Sequence, residues 1–158
     1  MISDTHLPRG ARRIPDGCVE RMRRSDAILH AGDLMELEVL QALQALGPPV
    51  YAVRGNVDSS QLQARLPLMR TVDVHGVRIG MVHDAGPKQG RLGRMRRRFP
   101  DADAVVFGHS HIPLHEEHGG FQIFNPGSPT DRRRQPKHTM GVAHIDGDTI
   151  ELELVVLD

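Results

Sequence analysis

Residues 104–111 read Ala-Val-Val-Phe-Gly-His-Ser-His, and no other stretch constrains the fold of this chain as strongly. A continuous apolar run halted by a glycine reads as a strand buried on both faces. Strands of that kind belong mostly to parallel sheets covered by helices. In open α/β sheets, ligands bind beyond the carboxyl ends of the strands. His109 and His111 therefore leave the sheet where chemistry is expected. Alternation along an extended strand would send their rings to opposite sides, so the pair converges only if the chain turns at Gly108.

Other apolar runs end in the same way. Met1-Ile2-Ser3 leads into Asp4-Thr5-His6, and 27–29 into His30-Ala31-Gly32-Asp33. Residues 50–53 lead into Arg54-Gly55-Asn56-Val57-Asp58, and 77–82 into His83-Asp84. Between the first three runs, apolar spacing predicts helices over 14–24, with Pro15 in the first turn, and over 36–46, halted by Gly47-Pro48-Pro49. A βαβαβ order implies right-handed crossovers and parallel pairing. Residues 69–74 and 77–82 flank His75-Gly76 as a hairpin. A helix over 88–99 turns Leu92, Met95 and Phe99 inward and most of its arginines outward. Strands over 114–118, 121–124, 139–145 and 149–157 complete the chain, with glycine turns at 119–120 and 146–148. The far end of the last strand is apolar on both faces at Val155 and Leu157, which calls for a cover. The expected class is α/β, two sheets flanked by helices.

Five run ends thus supply Asp4, His6, Asp33, Asn56, His83, His109 and His111. Two carboxylates, one amide oxygen and four imidazoles exceed what one tetrahedral zinc takes. They suit a pair of octahedral or five-coordinate transition metals, roughly 3.5–4 Å apart, that share a carboxylate. Each residue has an ordinary alternative: Asp4 and Asp33 as helix N-caps, Asn56 as a turn residue, His83 as a hydrogen-bonded strand end. All the alternatives would have to hold together for the site to vanish.

These motifs, with Gly32-Asp33, Gly55-Asn56-x-Asp58, Gly108-His109-Ser110-His111 and Asn125-Pro126-Gly127-Ser128, resemble the calcineurin-like metallophosphoesterase superfamily. The nearest likeness is to its small bacterial and archaeal phosphodiesterase branch. The resemblance implies a four-layer αββα sandwich, with residues 1–158 as one domain, and a dinuclear site. Asp4, His6, Asp33 and His111 would hold one metal, and Asn56, His83 and His109 the other, with Asp33 bridging. The implied cofactors are two divalent transition-metal ions, manganese first, with nickel, cobalt, zinc or iron as alternatives. The implied reaction is attack of a metal-bridging hydroxide on the phosphorus of a small phosphodiester, with Asp33, Asn56 and His109 as its catalytic residues. Arg54 is the expected substrate contact, Asp58 a support behind the ligands, His30 either such a support or a structural residue, and Asn125-Pro126-Gly127-Ser128 a turn that backs the site. The other classes to weigh are a phosphomonoesterase or nuclease of the same superfamily, and a non-catalytic protein-interaction scaffold of the same fold (Vps29-like).

Composition bears on these alternatives. Twenty basic and twenty acidic side chains cancel, and aromatics make up 3 %, so little is offered to hold nucleic acid. The single cysteine, Cys18, makes no internal disulfide and sits on an apolar stripe, which suits a reducing cytoplasm and an inert core thiol. No apolar run is long enough to span a membrane. A homo-oligomer paired through the last strand is compatible with the pattern. The remaining histidines, 75, 115, 118, 138 and 144, read as surface or turn residues.

Three positions depart from the superfamily pattern. Val57 stands where many monoesterase members carry a histidine that protonates the leaving group, which predicts preference for aryl phosphodiesters. Asp84 stands where glycine is common. Only two apolar residues precede Ser3, so the first strand reads as truncated, with the native chain expected to extend upstream.

Overall fold

The computed structural model describes residues 1–157, and its helices follow from apolar spacing. α1 (Asp16–Arg23) buries Cys18 and Met22, one stripe at fourfold spacing. Pro15 is its N-cap and not its first residue: the Cys18 and Val19 N–H groups bond to the Pro15 carbonyl, which starts the helix there. α2 (Leu37–Gln44) buries Val39, Leu40 and Leu43 and stops short of Gly47, whose φ of 116° no continuing helix could adopt. α3 (Ser60–Arg65) escapes a reading of periodicity because it has six residues and buries only Leu62. α4 (Arg91–Arg98) begins later than its pattern suggests, because Gly90 at its N-cap is left-handed.

The strands form two layers. β3 (Met69–Val74), β4 (Val77–Val82), β5 (Ala104–Val106), β7 (Phe121–Asn125) and β6 (Leu114–His118) make one mixed sheet in that spatial order. β5 is fully buried and parallel to both neighbours, as its unbroken apolar run requires. The second layer assembles around the N-terminal segment. β1 (Ile28–His30) and β2 (Val50–Ala52) pair in parallel, and Ile2 bridges to His30 on the open side of β1. Met1 and Gly141 exchange backbone hydrogen bonds, which joins this unit to the hairpin of β8 (Thr139–Asp146) and β9 (Thr149–Val156). Residues 1–4 are therefore the middle line of a sheet, and Ile2 is completely buried there.

Three apolar clusters separate four layers. Leu29, Val53, Ile79, Met81, Val106 and Phe124 pack between the sheets. Ile2, Ile28 and Ala52 face α1, α2 and α3 on one outer side, where Val155 and Leu157 find their cover. Val82, Val105, Phe107 and Ile123 face Met95 and Phe99 on the other. Each buried Leu, Ile or Phe contributes about 1.5–3 kcal/mol against exposure, so the clusters hold the ends of β1, β2, β4 and β5 rigidly side by side. The expected αββα class is the observed one.

The arginines of α4 do more than face solvent. Arg94 donates to the Ala85 and Pro87 carbonyls, and Arg91 to Gly86 O while lying over the Phe107 ring. They stitch the loop that follows His83 to the helix behind it. Among the described residues, no helix is long and apolar enough to cross a membrane.

Candidate metal centre

The seven candidate ligands leave five chain crossings and meet at one rim. Asp4, His6, Asp33, His83 and His111 are buried, whereas Asn56 and His109 face solvent. Five of the seven, Asp4, His6, Asp33, His109 and His111, have φ between 47° and 69°. A left-handed backbone at a non-glycine residue costs on the order of 1 kcal/mol and persists where its surroundings fix it. Here the Asp4 and His6 N–H groups bond to Gly32 O and Asp33 O, and the His109 N–H bonds to the Asp4 carboxylate at 3.1 Å. This geometry answers the His-x-His question. Both histidines leave the extended conformation, so their rings reach one rim.

The rings fall into two pairs. His6 and His111 lie 5.0 Å apart between centroids, and His83 and His109 lie 5.2 Å apart. Asp33 stands between the pairs, its Oδ2 3.4 Å from His6 Nε2 and 3.2 Å from His83 Nε2. Asp4 Oδ1 lies nearer the first side, 3.5 Å from His111 Nε2 and 4.0 Å from His6 Nε2. Asn56 Oδ1 lies on the second, 3.1 Å from His83 Nε2 and 3.0 Å from His109 Nδ1. Donor atoms of Asp4, His6 and His111 lie within 4.8 Å of one another, as do those of Asp4, Asp33 and His83. Asp4 is common to those two groups, but the shorter distances to both ring pairs belong to Asp33.

The backbone sets which nitrogen each ring presents. His83 Nδ1 donates to Ala31 O at 2.8 Å and His111 Nδ1 to Asp131 O at 2.5 Å, so each turns Nε2 to the centre. His6 Nε2 and His111 Nε2 approach to 3.2 Å, and His6 Nδ1 is buried without a partner. Burial pushes the His6 pKa down to about 4, which keeps the ring neutral at physiological pH. Burial works against ionised Asp33, yet the His83 hydrogen bond and charge and the Val57 N–H pull its pKa down to about 2. Burial likewise opposes charge on His83, and Asp33 and Asp4 outweigh it and raise its pKa. Burial raises the pKa of Asp4. Convergent imidazole nitrogens beside buried carboxylates favour cations at this centre, and hard oxygen with imidazole donors suits manganese, iron, cobalt or zinc. The residues fit a metal pair.

Neither aspartate caps a helix: the N-caps of α1 and α2 are Pro15 and Glu36. The Asn125 turn braces the centre from behind, with Asn125 Nδ2 donating to Gly108 O and the Ser128 hydroxyl to Asp4 O. Ser3, packed on the Asp4 carboxylate, and Thr130, whose hydroxyl donates to Thr5 O, are supports that sequence reasoning missed. Single hydroxyl residues in loops give no pattern to find. Arg54, the expected substrate contact, donates to Gln63 O at 3.3 Å. Asp84 is exposed and accepts from the Gly86 N–H, so its carboxylate is used by its own turn. His75 and His144 lie on the surface beside Asp26 and Glu153.

His30 contacts no ligand carboxylate. Its Nδ1 accepts from the Gly32 N–H and its Nε2 meets the Thr5 hydroxyl, a structural role for a wholly buried ring. Burial pushes its pKa down to about 3, below the ordinary value of 6.5. A depressed histidine pKa means that the unfolded chain binds the proton first, so stability is lost as pH falls from about 6.5 toward 3, by up to about 1.4 kcal/mol per pH unit. Thermal unfolding of His30→Gln should show a shallower loss than wild type across that window. Parallel curves would show that His30 does not titrate there.

Residues 1–148 match the calcineurin-like phosphoesterase superfamily domain. A "probable metallophosphoesterase" of Methanothermobacter thermautotrophicus is 34 % identical over 157 residues, covering 98 % of this chain and 90 % of that one. A solution structure of a Thermotoga maritima protein is 30 % identical, with a TM-score of 0.76 over 99 % of this chain and 96 % of its own. Vps29 of Entamoeba histolytica, solved with zinc, is 23 % identical with a TM-score of 0.78, over 99 % and 97 % of the two chains. That likeness concerns the fold.

Proposed function

The chain belongs to the calcineurin-like phosphoesterase superfamily, and we propose that it hydrolyses phosphodiesters with two divalent transition-metal ions. The observation that carries this reading is Asp33 Oδ2, set 3.4 and 3.2 Å from imidazoles of two separate pairs. On this reading Asp4, His6, Asp33 and His111 hold one ion and Asp33, Asn56, His83 and His109 the other. Bound there, the ions supply Lewis acidity toward the phosphoryl oxygens and lower the pKa of water to near neutrality.

The chain's own part is placement. Hydrogen bonds to Ala31 O and Asp131 O keep His83 and His111 in the tautomer whose Nε2 faces inward. Asn56 and His109, exposed at the rim, meet the substrate side of the centre. Arg54 reaches an anionic substrate by giving up its bond to Gln63 O, an exposed bond of roughly 1 kcal/mol. The Arg132–Arg134 cluster is a second source of positive charge for that substrate.

Preference for diesters with good leaving groups rests on Val57, which is 42 % exposed beside Asn56 and has no proton to give. Asp84, tied to the Gly86 N–H, does not substitute for it. Across a series of aryl phosphodiesters, kcat/KM should fall steeply as the pKa of the departing phenol rises. A flat series with chemistry rate-limiting would contradict an unassisted leaving group. Val57→His should flatten it.

A scaffold reading has one observation in its favour. Val57 and Ile112, which follow Asn56 and His111, are 42 % and 51 % exposed and apolar at the rim. Manganese-dependent turnover of bis-p-nitrophenyl phosphate separates the readings, because a scaffold has none.

A further inference from the structure

We propose that Asp58 is a positioning residue that holds the loop of Asn56 against the loop of Asp33 and so determines affinity for the second metal of the pair. The inference rests on the dinuclear reading above. Asp58 is 4 % exposed, and both of its carboxylate oxygens are used. Oδ1 accepts from the Met35 N–H at 2.7 Å, two residues beyond Asp33. Oδ2 accepts from the Gly55 N–H at 2.7 Å, directly before Asn56. One side chain therefore grips the backbone beside the bridging candidate and the backbone beside the amide ligand.

The surrounding bonds make this a hinge with one clasp. Ser59 N–H bonds to Met35 O at 2.8 Å, and Val57 N–H to Asp33 Oδ1 at 3.1 Å, so the two loops run against each other at three points. The Gln63 side chain donates to Asp58 O at 2.7 Å and fixes the residue to α3. Hydrogen bonds to a carboxylate are about twice as strong as neutral ones, and the two that Asp58 accepts, both at 2.7 Å, are shorter than the 3.1 Å bond from Val57 N–H to Asp33. Asn56 lies on the exposed side and depends on its loop for its place, whereas the His109 N–H is held by the Asp4 carboxylate. Asp4, His6 and His111 are tied by Gly32 O, Asp33 O, Ser128 and Asp131 O, groups that Asp58 does not itself contact. Loosening the clasp should therefore affect one metal and spare the other.

Asp58→Asn tests this. An amide offers one oxygen and one NH2 group, so whichever way it turns, one N–H faces another and a tie is lost. Manganese binding to metal-stripped protein, followed by calorimetry and electron spin resonance, should show the weaker of two sites loosened by about tenfold or more and the tighter one unchanged within twofold. Hydrolysis should lose kcat at added manganese that saturates only the tighter site, recover with excess manganese, and keep its KM. Asp58→Glu keeps the charge and both acceptors, and should fold with a smaller loss at the same site; it carries the test if Asp58→Asn does not fold. Equal weakening at both sites, or none, in a folded variant would overturn the proposal. Wild-type protein that fails to bind two ions would instead overturn the dinuclear reading.

Discussion

Replacing Asp33 with alanine is expected to reduce manganese-dependent phosphodiester hydrolysis by about 10³-fold or more, the equivalent of some 4 kcal/mol of transition-state stabilisation. Among the described residues, Asp33 Oδ2 is the one carboxylate oxygen within 3.4 Å of imidazoles on both sides of the centre. Its other oxygen is held by the Val57 N–H, so the carboxylate cannot turn without breaking that bond. Its pKa of about 2 keeps it ionised throughout the pH range in which a hydrolase would work. Without it, His83 loses its strongest anionic partner, and Asp4 sits closer to the first ring pair than to the second. Metal content should fall from two ions per chain to one or fewer, measured on the same samples. Asp33→Asn keeps the shape and loses the charge, and should resemble the alanine variant in turnover. If either variant retains full activity, the assignment of Asp33 is wrong.

The second large effect comes from a residue with no side chain. A Cβ built on Gly55 would overlap both Oδ1 and the backbone nitrogen of Asp33. Backbone cannot rotate aside as a flexible side chain can, so Gly55→Ala must push the loops apart. Overpacking of this kind costs about 1–3 kcal/mol of stability. Displacement of a reacting group by an ångström costs on the order of 10²-fold in rate, so activity should fall by about that factor even in protein that remains folded. Gly108→Ala should act in the same direction, because its Cβ would meet Ser3 Oγ at 2.5 Å and Asp4 Oδ2 at 2.7 Å. Gly76→Ala is the control: its φ of 88° carries strain, but nothing lies within 4 Å of a Cβ there. Circular dichroism and thermal melts beside the rate measurements separate misfolding from misplacement. Wild-type activity in Gly55→Ala would mean that the loops are looser than their hydrogen bonds imply.

Legibility in the sequence followed the range of the interactions. β5 and the ligand-bearing run ends were readable because an apolar run and the polar residue that ends it are adjacent in the chain. The burial of Val155 and Leu157 was readable as a need, but its cover came from α1 and α2, far off in sequence. α3 was not readable: six residues with one buried side chain leave no period. Convergence of His109 and His111 was legible only as a condition, a turn near Gly108, because the bonds that accompany their left-handed backbone, to Asp4 and Asp131, are remote in sequence. Asp58 was recognisable as a support but not as a clasp, because its two partners come from different loops. Arg91 and Arg94 looked like a solvated face for the same reason. Their acceptors are loop carbonyls that no side-chain pattern reveals.

Metal-dependent chemistry at the rim where Asp33 meets both ring pairs is the activity proposed for this chain. Its most direct test is a titration of metal-stripped protein with manganese, following bound ions per chain and hydrolysis of bis-p-nitrophenyl phosphate in the same samples. The prediction is two ions per chain, with hydrolysis absent at the start and rising as the second ion binds. Hydrolysis that persists without metal, or two ions bound with no hydrolysis, would contradict it.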